Sequence, residues 1–431
     1  MASELRHHID EILRGAFVTF ALRIIGALLN FGFFILLARF LDADGAGVFF
    51  LTLSIIALAV VVGTLGIPIA ALRFASASIS IGDMQAIAGL HRLSRRNIAL
   101  ASLSLSLILL IIAPWLGDYV FHEPAFSPTL RWMALVLLPA SMVMYYAELF
   151  RAVQHIAASN ITQTVGMHAL NVVLLLIGYY FLTLSETLVG AFYTLAGVLL
   201  CLSASLYWRH LKKQASIPEY GSFDHGLLMR ISIPLLWSQA LTQALYWIDT
   251  LVIGAFHDAE AVGLYNAAMR SVMLIIVLEA ALNSLASPKF SALHHVGELV
   301  VLGKVVRRTS ALLLVSGGLF TLGFLIAADW ILLIFGEEFV RAAPALRILA
   351  IGMFLSVATS AASQVLMMTG HERLHRRNMM IAVIVSLILN LLLVPSYGIV
   401  GAAIGGACGF ALRNVLAAFT VQRKMGIRML P

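Results

Sequence analysis

"FLDADGAGVF", residues 40–49, returns 216 positions later as "FHDAEAVGLY", residues 256–265. Both begin with Phe, both carry Asp-Ala at the third and fourth places, and both have a glycine at the eighth. The same shift lays "RFAS" (73–76) on "KFSA" (289–292). Nearby shifts lay "RRNIAL" (95–100) on "RRTSAL" (307–312) and Asn171 on Asn390. A repeat on this scale splits the chain into two halves with one plan.

Composition says what the plan is made of. The chain has 431 residues, 61% hydrophobic and only 11% charged, where soluble domains average about 25% charged. Mean hydropathy is +0.97. A membrane crossing takes about 20 apolar residues, and the sequence predicts twelve: 17–39, 48–72, 97–117, 132–154, 160–182, 187–208, 231–255, 263–287, 309–330, 342–368, 378–397 and 398–421. The expected fold is an all-α polytopic membrane protein: six helices in an N-terminal lobe (1–208), a cytoplasmic linker (209–230) and six in a C-terminal lobe (231–431). Six is even, so the copies share one orientation and form a parallel repeat, an architecture that transporters use around a central path.

The basic residues support this map independently. With the N-terminus inside, most of the 28 Lys and Arg fall on the cytoplasmic side. They include Arg6, Arg14, Arg92, Arg95, Arg96, Arg209, Lys212, Lys213, Arg307, Arg308, Arg376, Arg377 and Arg428. Arg39, Arg131, Arg270, Arg341 and Arg347 fall opposite. The positive-inside rule then places both termini in the cytoplasm. It also accounts for the +7 net charge without any nucleic-acid partner. The first fifteen residues are charged and amphipathic, unlike a cleaved leader, so the first span is expected to be retained. Cys201 and Cys408 lie in apolar stretches and read as two small buried residues.

Inside the first span stands Arg23, with Asn30 seven residues on. An arginine at mid-membrane costs about 2.5–3.5 kcal/mol on insertion scales. The repeat carries Arg23 to Gln239 and Asn30 to Tyr246. Span seven then presents Gln239, Gln243, Tyr246 and Asp249, spaced four, three and three, a stripe at helical period. Matched polar stripes on equivalent helices suit two walls of one cavity, whereas a single amide more often bonds within its own bundle. Glu148, at a depth similar to Arg23, is expected as its partner. Glu279 and Arg413 are expected to pair inside the second lobe, and His168 and Asn171 to be satisfied polar groups of span five.

Other patterns look like chemistry and are read otherwise. "HERLH" (371–375) matches a zinc-peptidase pattern, but it lacks a third ligand and sits beside Arg373, Arg376 and Arg377. It is read as a basic anchor loop. "GELVVLGKV" (297–305) has the wrong glycine spacing for a phosphate loop and no Ser or Thr after Lys304. "GAAIGGACG" (401–409) is a small-residue face for close helix packing. No metal or cofactor is expected. No loop is long enough for a separate catalytic domain.

"LLARFLDADGAGVF" (36–49), "ILLIFGEEFVRAAPALRILAIG" (331–352) and "SLILNLLLVPSYGIVGAAIGG" (386–406) resemble the polysaccharide-transporter branch of the multidrug/oligosaccharidyl-lipid/polysaccharide exporter superfamily. The resemblance implies a flippase in the bacterial inner membrane. Its substrate would be a polyprenyl-diphosphate-linked oligosaccharide such as an O-antigen, capsule or exopolysaccharide unit. It would work by alternating access, with the bilayer and a glycan polymerase as surroundings and partner. Arg23 would hold the diphosphate through charge-assisted bonds, and Asn30, Gln239, Gln243, Tyr246 and Asp249 would meet sugar hydroxyls. Glu148, Glu279 and Arg413 complete the candidate set. The rivals are a drug or cation antiporter, expected to carry acids rather than Arg23 in span one, and a peptidoglycan-precursor flippase, with fourteen spans. A membrane glycan polymerase would need a large outer loop.

Overall fold

A computed structural model describes the backbone of residues 2–427, and the side chains of that range except those of 2–18, 278, 281, 284 and 285. The side chains of Arg6, Arg14 and Arg428 therefore lie outside the described residues.

The described chain is helical from end to end. In order come α1 (Ala2–Thr64), α2 (Ile67–Ser80), α3 (Met84–Trp115), α4 (Phe126–Ala134), α5 (Leu137–Ala152), α6 (Ile156–Asn160), α7 (Gly166–Phe181) and α8 (Glu186–Gln214). There follow α9 (His225–Phe256), α10 (Ala259–Val272), α11 (Leu274–His295), α12 (Leu299–Leu333), α13 (Ala343–Ala358), α14 (Ser360–Met368) and α15 (Glu372–Met425). Two π-helical turns, Leu116–Phe121 and Ile161–Val165, and a 3-10 turn, Glu337–Ala342, interrupt the series. Among the described residues eight helices are long and apolar enough to cross a membrane, or nine if the bent pair α4–α5 is one span. The helix α9 falls short because Gln239, Gln243 and Asp249 interrupt its apolar run.

Two of the long helices contain breaks. At Asp42 the backbone turns to φ 58°, ψ −176°, so expected spans one and two lie end to end in α1. At Gly398 it turns to φ 53°, ψ −132°, joining expected spans eleven and twelve in α15. Glycine tolerates that conformation and Asp does not, since a Cβ crowds the backbone there. The break at Gly398 sits next to a side-chain contact from the neighbouring helix. His257 Nε2 lies 2.8 Å from the Val394 carbonyl, one turn before the break.

The chain folds as two compact units. The first comprises residues 1–40 and 52–240, the second 41–51 and 241–431. Within the first, Tyr145, Tyr146, Phe150 and Trp208 form an aromatic core with Ile67, Ile98 and Leu228. Its outward face is inverted relative to a soluble protein. Leu100, Leu103, Leu107, Ile111 and Trp115, one stripe of α3, are each more than half exposed. The second unit repeats the inversion on α12, where Leu312, Val315, Leu319, Leu322, Ile326 and Trp330 are exposed along one face. In water such stripes would drive aggregation; against lipid they are the solvent-compatible surface.

The second unit is tight because its helices meet through small residues. A Cβ on Gly352 would fall 2.3 Å from that of Ala407, and one on Gly409 would fall 2.8 Å from Leu245 Cδ1. The run at 401–409 is thus a packing face, as its spacing suggests. Cys408 departs from expectation: it is exposed, on the outward side of that run, and Cys201 is half-buried. In the same unit the two repeat motifs touch. A Cβ on Gly47 would lie 1.7 Å from the Ala259 carbonyl oxygen, and one on Gly263 would lie 2.0 Å from that of Ala43. The contact is reciprocal under the 216-residue shift.

Candidate functional site

Arg23 lies on the first segment of α1 and is exposed. Among the described residues it makes no hydrogen bond or ion pair. One turn further, Gly26 brings α1 against the π turn of residues 161–165, where a Cβ would meet Thr164 O at 2.9 Å. A turn beyond that, Asn30 Nδ2 donates to the His168 ring, 3.0 Å from Nε2. Asn30 and His168 are therefore held together by α1 and α7. Asn171 is buried and donates to the Met167 carbonyl of its own helix at 2.8 Å.

Glu148 does not partner Arg23. Its carboxylate lies 3.0 Å from Arg151 Nη1 on the next turn of α5, and Arg151 Nη2 also donates to Gln163 Oε1 at 2.9 Å. The π turn supplies this link. An extra residue in the turn re-aims side chains, and such bulges recur at functional sites. The sequence shows the carboxylate but not the turn that delivers its neighbour.

On α9 the stripe does not share one environment. Gln239 is half-buried, its Oε1 without a partner among the described residues. Gln243 is half-buried, and Tyr246 packs on Phe410 with ring centres 5.2 Å apart. Asp249 is fully buried: Tyr265 Oη donates to one oxygen at 2.7 Å and Asn390 Nδ2 to the other at 2.6 Å. Gly406 leaves room for this carboxylate, since a Cβ there would fall 2.4 Å from Asp249 Oδ2. Asp249, expected at a sugar hydroxyl, is placed by the structure wholly within the second unit. Each oxygen accepts one bond inside the second unit, and a buried carboxylate needs those donors.

Glu279 and Arg413 are neighbours without touching. Arg413 acts electrostatically on Glu279, yet no ion pair at contact distance joins them. Instead Arg413 Nη2 approaches Ser356 Oγ at 3.5 Å, and Asn283 Nδ2 lies 3.5 Å from Glu279 Oε1 and donates to Ser360 Oγ at 3.2 Å. Asn414 joins Ser356 and Ser363, so α11, α13, α14 and α15 share one buried polar network. In the 371–375 motif, His371 Nδ1 meets Thr369 Oγ1 at 3.0 Å.

Arg270, placed by the sequence on the side opposite the cytoplasm, has aromatic partners that the sequence did not indicate. It stands within α10, its guanidinium 4.4 Å from the Trp247 ring centre and 5.7 Å from that of Phe50. Cation–π contacts of this kind stabilise a desolvated arginine. Its position seven residues inside an expected span was the available signal.

An all-helical molecule with lipid-facing stripes, broken helices and polar groups inside its units is a multi-pass membrane protein of transporter fold. Solved structures agree. An inward-facing multidrug resistance MATE family transporter of the MOP superfamily matches 95% of this chain and 98% of its own, with a TM-score of 0.76 at 15% identity. The lipid II flippase MurJ in an inward closed conformation matches 97% of this chain and 88% of its own, TM-score 0.69, 12% identity. The sequence narrows the class. Residues 12–294 match the family described as polysaccharide biosynthesis protein, and the chain belongs to that family; residues 234–395 also match MatE. Curated relatives include the probable low-salt glycan biosynthesis flippase Agl15 of Haloferax volcanii, 32% identical over 185 residues, covering 42% of this chain and 39% of that protein. The amylovoran biosynthesis protein AmsL of Erwinia amylovora is 24% identical over 192 residues, covering 44% and 48%. The matched stretch spans about two-fifths to one-half of those relatives' length.

Proposed function

We propose that this protein is a flippase, not an enzyme, that carries a polyprenyl-diphosphate-linked oligosaccharide across the inner membrane. It works by alternating access between its N-terminal (1–208) and C-terminal (231–431) halves, with both chain termini in the cytoplasm. The family match over residues 12–294 and the flippase named among its relatives support the class. The observation that carries the mechanism is Arg23, an arginine in an apolar helix with no ion-pair partner among the described residues. A guanidinium offers planar, multidentate bonds to a diphosphate that must pass a low-dielectric region. Asn30, Gln239, Gln243 and Tyr246 supply neutral donors and acceptors suited to sugar hydroxyls. Asp249 supports α9 from behind, and Glu279 and Arg413 belong to the polar network of the second unit. The polyprenyl tail stays in lipid, and a glycan polymerase downstream would draw the product away.

The test is export by variants in cells lacking the native gene, read as surface glycan and as lipid-linked intermediate on the inner leaflet. Arg23→Ala should abolish export while the protein still inserts, because removing the charge eases insertion by up to ~3 kcal/mol. Arg23→Lys should retain only part of the activity, since an ammonium keeps the charge but loses the fork. Gln239→Ala should be milder. Normal export by Arg23→Ala, or loss of resistance to toxic cations as the only deletion phenotype, would refute the reading.

A further inference from the structure

The π turn Ile161–Val165 joins α6 to α7 inside the first unit. A turn of this kind inserts a residue into a helix and re-aims its side chains, often where a ligand is handled. The first segment of α1 runs beside it in a fixed register. Asn160 Nδ2 donates to Thr19 Oγ1 at 3.4 Å, a Cβ on Gly26 would meet Thr164 O at 2.9 Å, and Asn30 reaches the His168 ring. Arg23 therefore falls between the contacts at Thr19 and Gly26, level with the stretch between Asn160 and Thr164. Gln163 stands in that stretch. Arg23 and Gln163 are both exposed.

Gln163 ties a second guanidinium to the same place. Its Oε1 accepts from Arg151 Nη2 at 2.9 Å. Arg151 Nη1 lies 3.0 Å from Glu148 Oε2, yet that oxygen accepts no hydrogen bond among the described residues. The buried carboxylate thus holds Arg151 by charge. A guanidinium carries several N–H donors, and those of Arg151 not spent on Gln163 remain for a further acceptor. Two arginines and a primary amide gather at one edge of the first unit, at the end that the proposed topology puts towards the cytoplasm.

We infer that Arg151 and Gln163 form, with Arg23, a loading subsite in which the two arginines each hold one phosphate of a diphosphate, with the Gln163 amide between them. The inference rests on the diphosphate reading above and carries it to two residues outside that set. Two cations facing two linked phosphates select a diphosphate over a monophosphate, because the shorter headgroup leaves the second cation without an acceptor.

The experiment uses full-length protein in phosphatidylcholine nanodiscs, titrated with farnesyl diphosphate, farnesyl monophosphate and farnesol and read by calorimetry. The wild type should bind the diphosphate about tenfold more tightly than the monophosphate, the scale of one charge-assisted hydrogen bond. Arg151→Gln should lose that preference by weakening the diphosphate alone, and Gln163→Ala should lose part of it. Because Arg151→Gln strands a buried carboxylate, the double variant Glu148→Gln/Arg151→Gln is measured beside it and should show the same loss. Arg209→Gln, on α8 of the same unit, serves as a control for general positive charge and should change neither phosphate. A wild type that does not tell the two phosphates apart would overturn the inference. So would a preference retained in the double variant, or an equal loss in Arg209→Gln. Failure of the diphosphate reading shows up separately, as farnesol bound by the wild type as tightly as farnesyl diphosphate, and takes the inference with it.

Discussion

The stretches 40–49 and 256–265 are the same motif solved in two ways. In the second copy Asp258 is extended (φ −74°, ψ 170°) and its side chain accepts the Ala261 N–H at 3.0 Å, an N-cap made locally. In the first copy the equivalent Asp42 is exposed, sits at positive φ, and caps nothing; Glu338 does that work from a distance. A residue kept by the repeat has kept its identity and changed its job. Local capping needs only neighbours in sequence, so it survives any movement of the fold. Remote capping ties a helix to a particular arrangement.

The largest effect should come from the place where the two copies meet. Gly47→Ala or Gly263→Ala puts a Cβ within 2.0 Å of a carbonyl oxygen, and overpacking of this sort costs about 1–3 kcal/mol or more. Gly263→Leu should leave little folded protein, measured as monodisperse material after detergent extraction. Wild-type yield and melting temperature for both alanine variants would show that the copies do not depend on this crossing.

A smaller effect separates Asp249 from Phe33, which the repeat places in register and which are both buried. Phe33 solves its site with apolar packing; Asp249 solves it with two donors. Asp249→Ala should strand Tyr265 and Asn390 at about 1–3 kcal/mol per lost partner. Asp249→Asn should recover part of the loss. Melting curves in detergent measure it, and equal stability of the alanine variant would break the contrast.

The smallest effect has opposite signs in the two copies. Asp42→Gly should raise stability by about 1 kcal/mol, because a non-glycine residue at φ 58°, ψ −176° stores on the order of 1–3 kcal/mol. Asp258→Gly should lower it by a few tenths, since glycine is a tolerable but weaker N-cap. The same sign at both sites would mean that the backbone difference carries no energetic weight.

Hydropathy, the repeat and the small-residue run made the helical membrane fold legible, because each reports which faces avoid water. The stripe of Gln239, Gln243, Tyr246 and Asp249 was legible as a face. Which residue points outward was not, because period gives direction around an axis and says nothing about what stands opposite. Asp249 is spoken for by Asn390, 141 residues away. Glu148 pairs with Arg151 on its own helix, and Gln163 reaches Arg151 from a π turn that no propensity announces. The break at Asp42 was hidden for a similar reason: its compensation lies at Glu338, and sequence patterns record local needs, not distant remedies.

The crossing at 43, 47, 259 and 263 has a further meaning. Residue 47 meets 259 while 263 meets 43, and each pair is the image of the other. That is how a self-complementary surface joins two identical molecules about a two-fold axis. Here both surfaces sit on one polypeptide. In a homodimer every substitution appears twice, so both sides of such a seam must change together. A fused chain has no such obligation. The seam must keep both glycines, while the caps beside it are free to diverge, and at Asp42 and Asp258 they have.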